Sequence, residues 1–199
     1  MSAETIEFWF DFGSPYAYLA HRRLPTFKAA TDAEVLWRPF MLGTAFTETG
    51  ARPLLDIPMK SDYAKRDLAR LAKHFSVPFH MPVNAPTVTL AAARIFYGLN
   101  STDPEIAIAF GRSVFDAAFA EGKDVSDPGV LGACIYAVGL EPEVLSLAQE
   151  QDWKQALKDA GSAAIAKGVF GAPFFLHDGE PFWGVERMDM LMCKLTADG

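Results

Sequence analysis

Cysteine is almost missing from this chain. Two occur in 199 residues, Cys134 and Cys193, with no C-x-x-C pair. A disulfide framework is therefore not expected, nor is thiol–disulfide exchange by the protein's own groups. Both cysteines lie in apolar, helical-looking stretches and read as core thiols. Positive charge is also in deficit. The formal net charge of −7 argues against a broad nucleic-acid footprint, which needs a basic face, while leaving room for a local anion site. No apolar run reaches the length of about 18 residues that a membrane span requires. The opening MSAETIEFWF lacks the basic and apolar regions of a signal peptide, so a soluble cytoplasmic protein with no membrane partner is expected. No G-x-G-x-x-G follows a strand, which removes the usual dinucleotide signal. His21, His74, His80 and His177 lie far apart without H-E-x-x-H spacing, and no metal is expected.

What remains is a chain of ordinary apolar content, long enough to bury about 70% of its unfolded surface in one domain, or in a domain with a large insertion. Residues 5–11 (TIEFWFD) are short, aromatic and β-branched, as a buried strand should be. A helical pattern runs from Pro15 to about Ala30, and residues 33–40 (AEVLWRPF) read as a second strand. A helix of this length between two strands implies a parallel crossover. Residues 41–59 are loop-like, punctuated by Gly43, Gly50, Pro53 and Pro58. Residues 60–148 are almost wholly helical. Leu68, Leu71, Ala72 and Phe75 form an apolar stripe, and Asp103-Pro104 and Asp127-Pro128 are cap-then-proline starts. The aromatics of this region (Phe75, Phe79, Phe96, Tyr97, Phe110, Phe115, Phe119) read as core. Beyond it come a helix over 152–167, a strand over 172–177 opening at a proline, a two-residue Asp178-Gly179 hairpin turn, a return strand over 180–184 and a last helix over 186–195.

The order is βαβ, helices, then αββα, with a proline opening the third strand. That is the plan of an α/β thioredoxin fold carrying a large all-helical insertion between its βαβ and αββα halves. Residues 1–40 and 150–199 would form the thioredoxin-like domain and 41–149 the insertion.

The segments FDFGSPYAYLA, WRPFMLG, GVFGAPFF and FWGVERMDML, in this order along the whole chain, resemble the 2-hydroxychromene-2-carboxylate isomerases and the related kappa-class glutathione transferases. The resemblance implies a glutathione-dependent isomerase of aromatic catabolism acting on a small aromatic acid, with glutathione as cofactor and a homodimeric assembly. A kappa-like glutathione transferase or peroxidase is the alternative within enzymology. A non-catalytic module binding glutathione or an extended peptide is the alternative outside it. The resemblance further implies a cis Ala172–Pro173 bond that leaves the backbone groups of Ala172 free to pair with an extended ligand.

Ser14 carries the catalytic expectation. Read alone, Ser14-Pro15 is a helix entry, with the serine as cap and proline in the first turn. The same geometry favours an external thiol as thiolate, through the helix N-terminus and a hydroxyl hydrogen bond. The resemblance gives Ser14 that role and assigns the other contacts. Lys60 would meet the glycyl carboxylate. The turn after Trp183-Gly184 would take the γ-glutamyl end, with Val185 offering its N–H and Glu186 meeting the ammonium. Asn84 is a substrate candidate, or a turn residue. Read alone, Lys60 is a solvated charge before a helix and Glu186 an acid at a helix start. The family pattern has a small or polar residue followed by aspartate where this chain has Val185-Glu186, and asparagine where it has Ala51. The basic side chains Lys65, Arg66, Arg70 and Lys73 read as a solvated face.

Overall fold

The computed structural model describes residues 4–85 and 87–197. Four strands, β1 (Thr5–Phe10), β2 (Glu34–Pro39), β3 (Phe174–His177) and β4 (Glu180–Trp183), form one mixed sheet in the order β2-β1-β3-β4. β1 runs parallel to β2 and antiparallel to β3, which pairs antiparallel with β4. The parallel step is bridged by α1 (Pro15–Thr31). The β3–β4 hairpin turns on Asp178 and Gly179, both at positive φ (49° and 80°), the conformation that a two-residue Asp-Gly turn supplies.

Between β2 and the second half of the sheet run α2 (Leu42–Thr49), α3 (Lys60–His74), α4 (Leu90–Asn100), α5 (Pro104–Phe115) and α6 (Pro128–Ala137). α7 (Gln151–Ala166) leads to β3, and α8 (Met188–Ala197) follows β4. α2 departs from the loop-like reading of residues 41–59. Gly50 ends this helix as its C-cap, and the Leu42 N–H at its start is held by the Asp11 carboxylate at 2.8 Å. A short helix anchored by a distant side chain has little local signature.

Alternation along β1 sends its side chains to two cores. Ile6, Phe8 and Phe10 join Phe175, Phe182 and Trp37 in the larger one, while Trp9 joins Phe174, Leu176, Phe40 and Ala164 on the opposite face. The inserted helices share the larger core. Phe10 meets Phe96 of α4 and Phe115 of α5 at ring-centroid distances of 6.2 and 5.4 Å, and Phe12 meets Phe115 at 5.1 Å. Each fully buried phenylalanine contributes about 1.5–3 kcal/mol, so the insertion is fastened to the sheet by packing rather than tethered to it. Phe96, Phe110, Phe115 and Phe119 are buried, with Phe75, Phe79 and Tyr97 packed against them. Cys134 is buried, but Cys193 is exposed, contrary to the core-thiol reading: α8 turns that position to solvent. Among the described residues, no helix is long and apolar enough to cross a membrane.

Candidate active site at the first strand-to-helix turn

β1 ends at a buried aspartate, and the chain turns there into α1. The Asp11 carboxylate accepts the Gly13 N–H at 2.8 Å, and its carbonyl accepts the Ser14 N–H at 2.9 Å. Gly13 is pressed against the segment that leads into α4, where a Cβ would lie 3.3 Å from the Thr87 carbonyl. Asp11 also accepts the Leu42 N–H at the start of α2 and the Thr89 hydroxyl at the start of α4 (2.7 Å). Burial pushes its pKa up, opposed by these three hydrogen bonds. One carboxylate thus fastens the Ser14 turn to both ends of the first inserted segment. Nothing in the local sequence pointed to it beyond an acid at the end of an aromatic strand.

Ser14 is 5% exposed. Its Oγ accepts the Ala17 N–H at 3.2 Å, as a helix cap should, and donates to the Ala172 carbonyl at 2.9 Å. Neither partner is a base, so nothing here prepares Ser14 as a nucleophile. The Ala172–Pro173 bond is cis. The resemblance implies free backbone groups at Ala172; in the structure its carbonyl is instead the acceptor of the Ser14 proton.

Past Pro173, the Gly184 N–H donates to the Pro173 carbonyl at 3.0 Å and the chain enters a 3₁₀ turn at Val185–Arg187. Gly184 takes φ 101°, which disfavours any side chain, and a Cβ there would fall 2.8 Å from Glu186 Oε2. The extra carbon of glutamate is absorbed by folding its carboxylate back over the turn. Val185 is fully buried, so its side chain packs in the core and only its main chain can serve a ligand. At the head of a helical turn, the N–H groups of Val185 and Glu186 have no intrahelical acceptor. Arg23 donates to the Val185 carbonyl at 2.9 Å, pairs with Asp189, and lies 4.5 Å above the Phe75 ring. It pulls that carbonyl inward, and the antiparallel N–H of Glu186, in the same peptide, is turned the other way. Trp183 is half-exposed; its indole packs edge-on to Phe170 and fills the space a Cβ on Gly171 would need.

α3 packs against α1. The Tyr16 hydroxyl donates to Asp67 at 3.2 Å. Burial first, then Asp67, Glu186 and Tyr63 push the Tyr16 phenol well above its ordinary range. Lys60 is exposed in the first turn of α3, two turns before Asp67 on the same helix face. The Asn84 amide donates to Asp124 at 3.3 Å. Lys65, Arg66, Arg70 and Lys73 are exposed, with Arg70 paired to Asp67. At the opposite end of β1, the ligand atoms of Glu4, His177 and Asp178 lie within 4.8 Å of one another, remote from the Ser14 turn.

The Ser14 turn offers a hydroxyl at a helix N-terminus, the Val185–Arg187 turn two N–H donors beside a carboxylate, and the start of α3 an exposed lysine. Such a set suits an extended zwitterion that carries a thiol. Over 191 residues the chain is 28% identical to 2-hydroxychromene-2-carboxylate isomerase of Sphingobium xenophagum, covering 94% of this chain and 96% of that protein. It is 26% identical to human glutathione S-transferase kappa 1, covering 94% and 88%. A solved 2-hydroxychromene-2-carboxylate isomerase superposes with a TM-score of 0.84 at 26% identity over 98% of both chains. The DSBA-like thioredoxin domain family matches residues 5–196, and the chain belongs to that family.

Proposed function

We propose that the chain is a glutathione-dependent isomerase that interconverts 2-hydroxychromene-2-carboxylate and trans-o-hydroxybenzylidenepyruvate. The observation that carries the reading is the buried Ser14 hydroxyl, set at the start of α1 beside the Ala172 carbonyl, with no base among its hydrogen-bond partners in the described residues. Similarity to the isomerase and the kappa transferase along nearly the whole chain supports it.

Glutathione, when bound, would supply a thiolate: once the cyclic hemiketal has opened to the enone, its C2–O1 bond broken and the hydroxyl proton passed to the phenolic oxygen, the sulfur would add reversibly to the conjugated double bond, free its rotation, and be eliminated unchanged. The chain's own residues hold and charge that thiol. The Val185 and Glu186 N–H groups take the γ-glutamyl carboxylate, and the Glu186 carboxylate takes the ammonium. Ala172 pairs with the cysteinyl main chain, and Lys60 receives the glycyl carboxylate. Ser14 and the N-terminus of α1 stabilise the negative sulfur. A thiol titrating near about 8.5 needs roughly 2.7 kcal/mol to move down two units, which a hydrogen bond to the charged form plus the helix terminus supplies. Of the two proposed units, residues 1–40 and 150–199 would supply the Ser14, Ala172 and Val185–Glu186 contacts, and residues 41–149 the Lys60 contact.

The test follows chromene isomerisation with and without glutathione and measures free glutathione at the end. Stimulated turnover with glutathione fully recovered is expected. Turnover indifferent to glutathione refutes the reading. A glutathione conjugate in the mass spectrum turns it into a kappa-like transferase, the second reading that the human relative favours.

A further inference from the structure

Ser14 has one proton to give, and the fold already uses it. Oγ receives the Ala17 N–H at 3.2 Å and donates to the Ala172 carbonyl at 2.9 Å. A hydroxyl is a single donor, so it cannot hold Ala172 and a sulfur together. The oxygen itself need not move for the change. It keeps the Ala17 N–H while the O–H bond turns about Cβ–Oγ, so α1 stays capped. What changes is Ala172, whose carbonyl loses its donor in a partly buried place, where an acceptor left unpaired costs free energy. A ligand that brings its own N–H to the Ala172 carbonyl removes that cost, because the oxygen has a second lone pair waiting.

We infer that the Ala172 carbonyl is a latch on the Ser14 hydroxyl, released by the main-chain N–H of the thiol that binds. The inference rests on the glutathione reading and adds a selection rule to it. A thiol with an amide N–H in the cysteinyl position is activated; one without it can enter the site and keep its proton. Small thiols without that N–H would then be poor substitutes even at saturation, since the hydroxyl remains on Ala172.

The experiment is an ultraviolet titration of the thiolate band at saturating ligand, on the wild-type chain and on Ser14→Ala. The ligands are glutathione and its depsipeptide analogue, in which an ester oxygen replaces the cysteinyl N–H. On the wild type the glutathione thiol is expected to titrate about two units below its free value, and Ser14→Ala to forfeit about one to two of these. The analogue is expected to titrate alike on both proteins. A Ser14-dependent shift as large for the analogue as for glutathione overturns the latch and leaves the glutathione reading standing. A glutathione thiol unshifted on the wild type overturns the glutathione reading, and the latch with it. Occupancy is followed separately by tryptophan fluorescence. Should the analogue fail to saturate, N-acetylcysteamine and O-acetylmercaptoethanol make the same contrast with one N–H gained or lost. A Ser14-dependent shift in the amide alone is expected, and equal shifts in both overturn the latch.

Discussion

Among the described residues, three α-helices start with a side-chain cap followed by proline, and one of the three hides its cap. At α5, Asp103 Oδ1 accepts the N–H groups of Glu105 and Ile106 at 3.0 and 3.1 Å. At α6, Asp127 Oδ1 accepts those of Gly129 and Val130 at 2.6 and 3.3 Å. Both carboxylates are exposed, and each satisfies two of the open donors of its helix. At α1, Ser14 accepts one N–H and spends its proton on Ala172, 158 residues away. As a cap it does less than either aspartate. A carboxylate, however, only accepts. The residue with the weaker cap is the one with a proton to offer, and it stands where that proton can be used.

The sharpest way to break this comparison is Ser14→Asp. The substitution keeps a good cap acceptor and removes the donor. It sets a negative charge against the Ala172 carbonyl and against any thiolate. We expect kcat/KM for glutathione-dependent isomerisation to fall by about 100-fold or more, the loss of a hydrogen bond to a charged group plus repulsion. Unfolding stability should drop by about 1–3 kcal/mol. Steady-state kinetics beside urea unfolding checks both. Wild-type activity in this variant would make Ser14 an ordinary cap.

A second contrast lies further along α1, which buries polarity inside as well as at its start. His21 is 3% exposed, stacks on Phe115 at 4.9 Å, and has Nδ1 2.8 Å from the Tyr18 carbonyl. Burial, helped by Arg22 and Arg112, pushes its pKa down to about 3, against about 6.5 in the unfolded chain. Between those values the unfolded chain holds a proton that the folded one refuses, so stability falls on acidification, by up to about 1.4 kcal/mol per pH unit. Asp11 works the other way, because burial pushes its carboxyl up and the folded state takes that proton first. Urea unfolding of the wild type and His21→Leu between pH 7 and 4 separates them. The wild type should lose stability more steeply. Parallel curves would mean that His21 titrates as freely folded as unfolded.

Arg23, on the same helix, bears on the site from behind. If its hold on the Val185 carbonyl orients the Glu186 N–H, Arg23→Met should raise KM for glutathione about tenfold while kcat stays within about twofold. Cysteinylglycine, which lacks the γ-glutamyl group, should not notice the change. An equal loss for both thiols would reduce Arg23 to packing on Phe75.

These contacts mark where sequence reading stopped. The strands, α1, the cap-proline starts and the Asp178-Gly179 turn are local, written in residues a few positions apart, and the structure has them where the patterns put them. The Ser14 turn was visible as a place. Its partners were not, because each comes from far along the chain: Asp11 with Leu42 and Thr89 at separations of 31 and 78 residues, Tyr16 with Asp67 at 51, Arg23 with Val185 at 162. No periodicity connects such positions. α2 was missed for the same reason, its first N–H being held by Asp11. Cys193 was misjudged because an apolar stretch of sequence does not say which face of a helix is turned outward.

The smallest expected effect sharpens the opening comparison most. Serine and aspartate rank nearly equal as caps, so Asp103→Ser and Asp127→Ser should each change stability by no more than about 0.5 kcal/mol, whereas alanine at either position should cost about 1 kcal/mol. Isomerase activity should be untouched by all four substitutions. The new serines would have free hydroxyl protons facing water and nothing to do with them. What distinguishes Ser14 is then not the residue type at a helix start but the carbonyl placed opposite it by β3. Thermal unfolding of the four variants decides this. If either serine swap costs as much stability as Ser14→Asp, the choice between hydroxyl and carboxylate at these starts is a matter of helix energetics alone, and the case for a reserved proton at Ser14 loses its main support.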